Sequence, residues 1–276
     1  MTLTEKYRPA RLDEVVGQPE AVTRLRGWLK NPSSCAFILA GSTGTGKTTL
    51  ARCLAAELGC DVAEAECGGL IEIGSGDQTA DTVRDQIRTL GLRPMFGSGW
   101  RVLVLSEGDR MSEAVQYLWL DALEALPSRV VVVFTTNYLS RIKRRLADRC
   151  EVIVMTHDPD VMMADAQRLA DRIWSEETGR ADSPRLRAIA GAIIDGELSL
   201  RALVRGLEPL IRSAKQRTTQ EALSFAESPP VAQRAANEFW ATSDGLYMVR
   251  LARSLGVDVE TLGKATGFTR ERLETA

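Results

Sequence analysis

Gly41-Ser42-Thr43-Gly44-Thr45-Gly46-Lys47-Thr48 stands between the apolar run Ala36-Phe37-Ile38-Leu39-Ala40 and the helix-forming stretch Thr49-Leu50-Ala51-Arg52-Cys53-Leu54-Ala55-Ala56-Glu57-Leu58. The octet satisfies G-x-x-x-x-G-K-[ST], and a strand before it with a helix after it is the context in which that pattern cradles phosphate. The glycines let successive backbone N–H groups turn inward, and the helix aims the positive end of its dipole at the oxygens. Lys47 then reaches the β- and γ-phosphates while Thr48 ligates Mg²⁺. Gly41, Ser42, Thr43, Gly44, Thr45, Gly46, Lys47, Thr48 and Thr49 are therefore the candidate nucleotide-binding residues, with ATP and Mg²⁺ as the expected cofactors. A Gly-rich turn without a ligand is the alternative, and the flanking strand and helix argue against it.

Outward from this loop, short β-branched runs alternate with helical stretches, the pattern of a parallel sheet covered by helices. The expected strands after the first are Asp61–Ala65, Arg101–Leu105, Val130–Phe134 and Glu151–Met155, the nearly unbroken valines implying burial on both faces. Beyond His157-Asp158-Pro159 the β signal stops, and a helical period runs from about Val161 to Lys215. The prolines of Ala226-Glu227-Ser228-Pro229-Pro230 break any helix there, and a last helical segment leads towards Ala276. The fold class is α/β, with two all-α parts after the sheet.

Composition narrows the function classes. A formal net charge of −2 over 276 residues excludes a polycation that coats nucleic acid, so any DNA contact must be local. The five cysteines form no C-x-x-C pair and the chain has one His, which argues against zinc and for reduced thiols. Met1-Thr2-Leu3-Thr4-Glu5-Lys6 lacks the apolar core of a signal peptide, and no apolar run approaches about eighteen residues, so the expected location is the cytoplasm, without membrane contact.

The run Val102-Leu103-Val104-Leu105-Ser106-Glu107-Gly108-Asp109 reads as the acidic strand end that completes an ATPase site. Such a strand usually ends in Asp, which holds the metal's water shell, followed by Glu, which polarises the attacking water. Ser106 stands at the metal position without charge, and Glu107 is the candidate catalytic carboxylate. This predicts slow or conditional hydrolysis. Asp109 reads as a helix cap. The next strand ends Phe134-Thr135-Thr136-Asn137, where Asn137 either orients the attacking water and γ-phosphate or makes an Asn turn. Arg84 and Arg88 are spaced to share one helix face, either as contacts to consecutive DNA phosphates or as partners of Asp81 and Asp85 on a solvated helix.

Glu5-Lys6-Tyr7-Arg8-Pro9, followed by Leu12-Asp13-Glu14-Val15-Val16-Gly17-Gln18, resembles the opening of AAA+ clamp-loader ATPases: replication factor C small subunits, the bacterial tau/gamma subunits and the T-even phage large subunit. Asn137-Tyr138-Leu139-Ser140-Arg141-Ile142 resembles the first-sensor segment of that family, and Leu146-Ala147-Asp148-Arg149-Cys150 its Ser-Arg-Cys motif. The resemblance covers roughly residues 4–213. It implies an AAA+ ATPase domain over 1–157, a helical lid over 158–226 and a short helical collar over 227–276. It places Tyr7, Arg8 and the segment Val15-Val16-Gly17 around the nucleotide, makes Asn137 the first sensor, and makes Arg149 an arginine finger reaching a neighbouring subunit's ATP. Asp195-Gly196-Glu197-Leu198-Ser199-Leu200-Arg201 resembles the second-sensor turn, with Arg201 folding over the nucleotide. The helix of Arg84 and Arg88 resembles one that grips DNA phosphates. The implied partners are primer-template DNA, a sliding clamp and other subunits of a ring or spiral. The implied function is ATP-driven loading of that clamp during DNA replication.

Departures from the family qualify this. Leu120-Asp121 stands where the family has paired arginines, and Ser106 where it has Asp. Both mark a divergent loader of the kind a phage would encode, or a subunit that binds ATP with little turnover. A AAA+ remodeller of replication or recombination DNA is the third alternative. The rhythm of Val257–Leu273, with Gly267 at its turn, fits a helix-turn-helix or two short collar helices.

Overall fold

A computed structural model describes residues 1–62, 65–185, 189, 191–226, 249–250, 252–253, 257–266 and 273. The contact pattern divides the chain into two compact units, residues 1–170 with 184–206, and residues 171–183 with 207–276.

The first unit is built on a five-stranded sheet in the order β2-β3-β4-β1-β5. Its strands are β1 (Cys35–Ala40), β2 (Leu70–Ile73), β3 (Arg101–Leu105), β4 (Val130–Thr136) and β5 (Glu151–Val154). Every pairing is parallel, with β4 in the centre and β1 between β4 and β5, Ala40 beside Thr136 on one side and Val154 on the other. The valine runs of β3 and β4 are buried throughout because helices cover both faces. Phe37 and Leu39 pack on one face with helices α2 (Pro19–Leu29) and α3 (Lys47–Glu57). Ile38, Leu103, Leu105 and Phe134 pack on the other with α5 (Ala80–Thr89) and α6 (Glu113–Glu124). Each of these last two helices starts at a side-chain cap, Thr79 Oγ1 accepting from Thr82 N–H and Ser112 Oγ from Val115 N–H. Trp119 of α6 is buried edge-on against Phe134, with ring centroids 5.5 Å apart.

The sheet and its helices agree with the sequence reading, with two corrections. Asp61 forms a single bridge to Gly69, and the second strand is Leu70–Ile73 after the short helix α4 (Ala65–Gly68). Gly68 and Gly69 allow the close approach there: a Cβ on Gly68 would meet the Asp61 carbonyl oxygen at 2.1 Å. The stretch read as helices around a turn at Asp195-Gly196 also contains a hairpin there, β6 (Ile193–Ile194) with β7 (Glu197–Leu198), turned by Asp195 and Gly196 at φ 51° and 79°. Two left-handed residues suit a two-residue hairpin turn, with Gly free to adopt that conformation.

The long helices α8 (Pro159–Thr178) and α9 (Leu200–Ala226) contribute residues to both units. Within the second unit, Lys215 pairs with Glu177 at 2.8 Å. Val249, Ala252, Leu262 of α10 (Val259–Thr266) and Leu273 form a small core. Residues 227–248, nearly half of the expected collar, and Gly267 with the following five residues of the helix-turn-helix reading lie outside the described residues. Among the described residues, no helix is long and apolar enough to cross a membrane.

Candidate functional site

The loops leaving the carboxyl ends of β1, β3 and β4 converge, as expected of a crevice in an open parallel sheet. Gly41 leaves β1 with its N–H on the Thr136 carbonyl at 3.1 Å. Gly44 and Gly46 take φ of 88° and 97°, which side-chain-bearing residues rarely adopt, and this folds the loop onto the start of α3. Lys47 Nζ donates to the carbonyls of Gly41 (2.7 Å) and Ser42 (2.8 Å) and to Asn137 Oδ1 (2.9 Å). Thr45 is buried and its hydroxyl donates to the Ser42 carbonyl at 2.9 Å.

Lys47 is a largely buried cation whose hydrogen-bond partners are all neutral. Burial, followed by the charge of Arg201, pushes its pKa down from the ordinary 10.5 to about 8, against the opposing pull of Asp109 and Glu107. An ammonium desolvated in this way gains most from an anion delivered to it.

A cavity of about 230 Å³ opens beside it. Its floor is Gly44, Thr45, Gly46, Lys47, Thr48 and Thr49, and Tyr7, Arg8 and Val16 come from the N-terminal segment. Arg201 closes it together with the apolar Leu169, Leu200 and Val204. Ser199 Oγ caps α9 by accepting from Ala202 N–H at 3.3 Å, and Leu200 N–H donates to the Gly44 carbonyl at 3.1 Å. The fit there is tight, since a Cβ on Gly44 would stand 2.1 Å from Ser199 Oγ. Gln18 ties the N-terminal segment down: its Nε2 donates to the Thr156 carbonyl at 2.7 Å and its Oε1 accepts from Thr156 N–H at 2.9 Å.

The other candidate residues are spread around this core. Gly17, at φ 70°, backs the wall with its N–H on the Asp165 carboxylate at 3.2 Å, and Thr43 sits on the loop between the lining residues and β1. Ser106 follows β3, its N–H bonded to the Ile73 carbonyl at 3.0 Å and its carbonyl accepting from Gln78 Nε2. Glu107 adopts φ 57°, a strained conformation for a residue with a Cβ, held by its N–H on Thr135 Oγ1 at 3.2 Å. Its carboxylate pairs with Arg110 at 3.1 Å. Asp109 caps nothing in its own turn; Glu107 occupies the capping position, and the Asp109 carboxylate reaches β4 instead.

Arg149 is removed from the cavity. It donates through Nε to Glu124 Oε1 and through Nη1 to the Arg145 carbonyl, both at 3.0 Å. Arg84 and Arg88 lie on α5, paired with Asp81 at 2.8 Å and Asp85 at 3.2 Å. Sequence reasoning missed the apolar wall of Leu169, Leu200 and Val204, whose residue types carry no chemical signature. It also missed the reach of Asp109, which depends on β3 and β4 being neighbours.

A phosphate loop after an inner strand of a parallel sheet, with acidic and Asn-bearing strand ends beside it, defines a P-loop nucleotide-binding ATPase domain. Residues 37–158 match the model of the ATPase family associated with various cellular activities (AAA), and the domain is that of an AAA ATPase. It has distant homology to replication factor C small subunits. The protein of that name from Picrophilus torridus is 34% identical over 153 residues, 54% of this chain and 47% of the relative. The one from Haloarcula marismortui is 30% identical over 206 residues, 74% of this chain and 60% of the relative. This chain thus spans about half the length of the curated relatives it matches. Among solved structures, a RuvB variant from Thermotoga maritima aligns at TM-score 0.48 and 18% identity, over 95% of this chain and 89% of that one.

Proposed function

We propose that this chain is an ATPase subunit of a clamp loader, using ATP binding and hydrolysis to place a sliding clamp on primer-template DNA. The supporting observation is the contact between Lys47 and Asn137 at a cavity closed by Tyr7, Arg8 and Arg201, in a domain homologous to replication factor C small subunits. Triphosphate oxygens replace the loop carbonyls as acceptors for Lys47, while Asn137 orients the attacking water and Glu107 polarises it. Among the described residues, no group of three or more His, Cys, Asp or Glu side chains forms a metal cage. Mg²⁺ binds through few protein ligands together with substrate phosphates. Thr48 would hold the ion beside the lysine, with Ser106 bonding a metal-bound water. The ion supplies charge neutralisation for the β- and γ-phosphates.

Arg149 acts on a neighbouring subunit's nucleotide, exchanging Glu124 for phosphate, and Arg84 and Arg88 exchange their aspartates for DNA phosphates. Residues 158–226 form the lid and 227–276 the collar. MgATP turnover, with and without primed-template DNA at two salt concentrations, tests the reading. DNA-stimulated, salt-sensitive turnover supports it, and turnover indifferent to DNA contradicts it.

A second reading, an ATP-bound structural subunit with little turnover, is favoured by the uncharged Ser106 and by the Arg110 pair that occupies Glu107. Ser106→Asp separates the two: a large gain in turnover marks a weakened metal site in a working ATPase, and no gain from a negligible basal rate marks the structural subunit.

A further inference from the structure

The backbone ladder between β3 and β4 ends at Leu105 opposite Phe134. Beyond it, side chains lace the two strand ends together. Glu107 N–H bonds Thr135 Oγ1, and Asp109 Oδ1 accepts from both Thr136 Oγ1 at 2.8 Å and the Asn137 backbone N–H at 3.1 Å. Thr136 is fully buried, and its oxygen accepts in turn from Tyr138 N–H at 3.1 Å. Asp109 therefore holds Thr136 and the backbone of Asn137 directly, and Tyr138 through the Thr136 hydroxyl. That side chain meets Lys47 Nζ at 2.9 Å.

We propose that Asp109 is a positioning residue of the ATPase site: by fixing the backbone at Asn137 it sets where that amide meets Lys47 and the phosphate beyond. The inference rests on the ATPase reading above. Asn137 belongs to the loop that leaves β4, where no strand partner restrains it. A carboxylate acceptor makes short, charge-assisted hydrogen bonds, roughly twice as strong as neutral ones. Misplacing a group at the reacting centre by about 1 Å costs on the order of 10²-fold in rate. The negative charge of Asp109 also acts on Lys47, favouring the ammonium form that phosphate needs. With Ser106 uncharged, Asp109 and Glu107 are the carboxylates whose field reaches Lys47 from this strand end.

The test compares wild type, Asp109→Ala and Asp109→Asn in the full chain, measuring kcat for MgATP and the Kd of a fluorescent non-hydrolysable ATP analogue. Asn keeps a carbonyl oxygen that accepts the same two hydrogen bonds. Asp109→Ala is expected to lower kcat by about tenfold or more with the analogue's Kd within about threefold of wild type, and Asp109→Asn to return kcat to within about threefold. An unchanged kcat in the Ala variant, a loss confined to Kd, or an Asn variant as impaired as the Ala variant overturns the proposal. Absence of turnover in wild type would contradict the ATPase reading instead. The side-chain amide NMR signals of Asn137 in the nucleotide-free protein then decide: displaced in the Ala variant and restored in the Asn variant supports positioning, and unmoved in the Ala variant overturns it.

Discussion

The cations at the cavity and the cations on the helical surface live under opposite conditions. Lys47 is largely buried, bonded to neutral acceptors, and its pKa is pushed down to about 8. Arg84, Arg88 and Arg149 are more exposed, and each already holds a carboxylate, from Asp81, Asp85 and Glu124. A desolvated cation without an acidic partner is unfavourable until an anion arrives, whereas an exposed ion pair contributes little in either state, about 0–1 kcal/mol. The cavity thus leaves Lys47 ready for an incoming anion, whereas the surface arginines are already paired with carboxylates.

The contrast fails or sharpens first at Lys47. Lys47→Ala is expected to reduce MgATP turnover by roughly 10²–10³-fold, the scale of losing a preorganised electrostatic group. Its thermal midpoint should stay level or rise, because a buried charge has gone. A midpoint that collapses would mean the lysine is structural. Arg201→Ala comes next, with an expected rise of about tenfold in KM for ATP, a charge-assisted contact to phosphate having been lost; steady-state kinetics at saturating Mg²⁺ give the answer.

The third effect is on pH. The folded-state value of about 8 lies below the ordinary 10.5, so between those pH values the unfolded chain keeps the proton and the folded chain has released it. Stability attributable to Lys47 therefore rises with pH across that window. Nucleotide affinity runs the other way, falling as pH climbs through about 8. Denaturation and binding curves of wild type and Lys47→Met, taken at several pH values, should show both trends in the wild type and neither in the variant. The smallest effect is expected at the surface: Arg84→Ala with Arg88→Ala changes stability by less than about 1 kcal/mol. If these arginines grip DNA, the same variant lowers the slope of log affinity against log salt by about 2.

Most of the sheet was legible because β3 and β4 are continuous apolar runs that need burial on both faces. β2 was not, since Leu70-Ile71-Glu72-Ile73 is four residues long and its neighbour Asp61-Val62 carries a similar signal. The hairpin at Ile193–Leu198 has two residues per strand, too few for any period to register. In the site, residues 41–48 were readable because their chemistry is local. The cavity's apolar wall and the Asp109 bridge were not, because they arise from strand order and from helices more than a hundred residues away in the chain. Asp109 read as a cap for its own turn, and tertiary neighbours gave it a different partner.

The most direct measurement is calorimetric titration of MgATP and of adenosine into wild type and Lys47→Ala at neutral pH. A buried lysine held for phosphate predicts that the variant loses most of its affinity for the triphosphate and leaves adenosine binding unchanged. Equal triphosphate affinity in the two proteins would contradict the account.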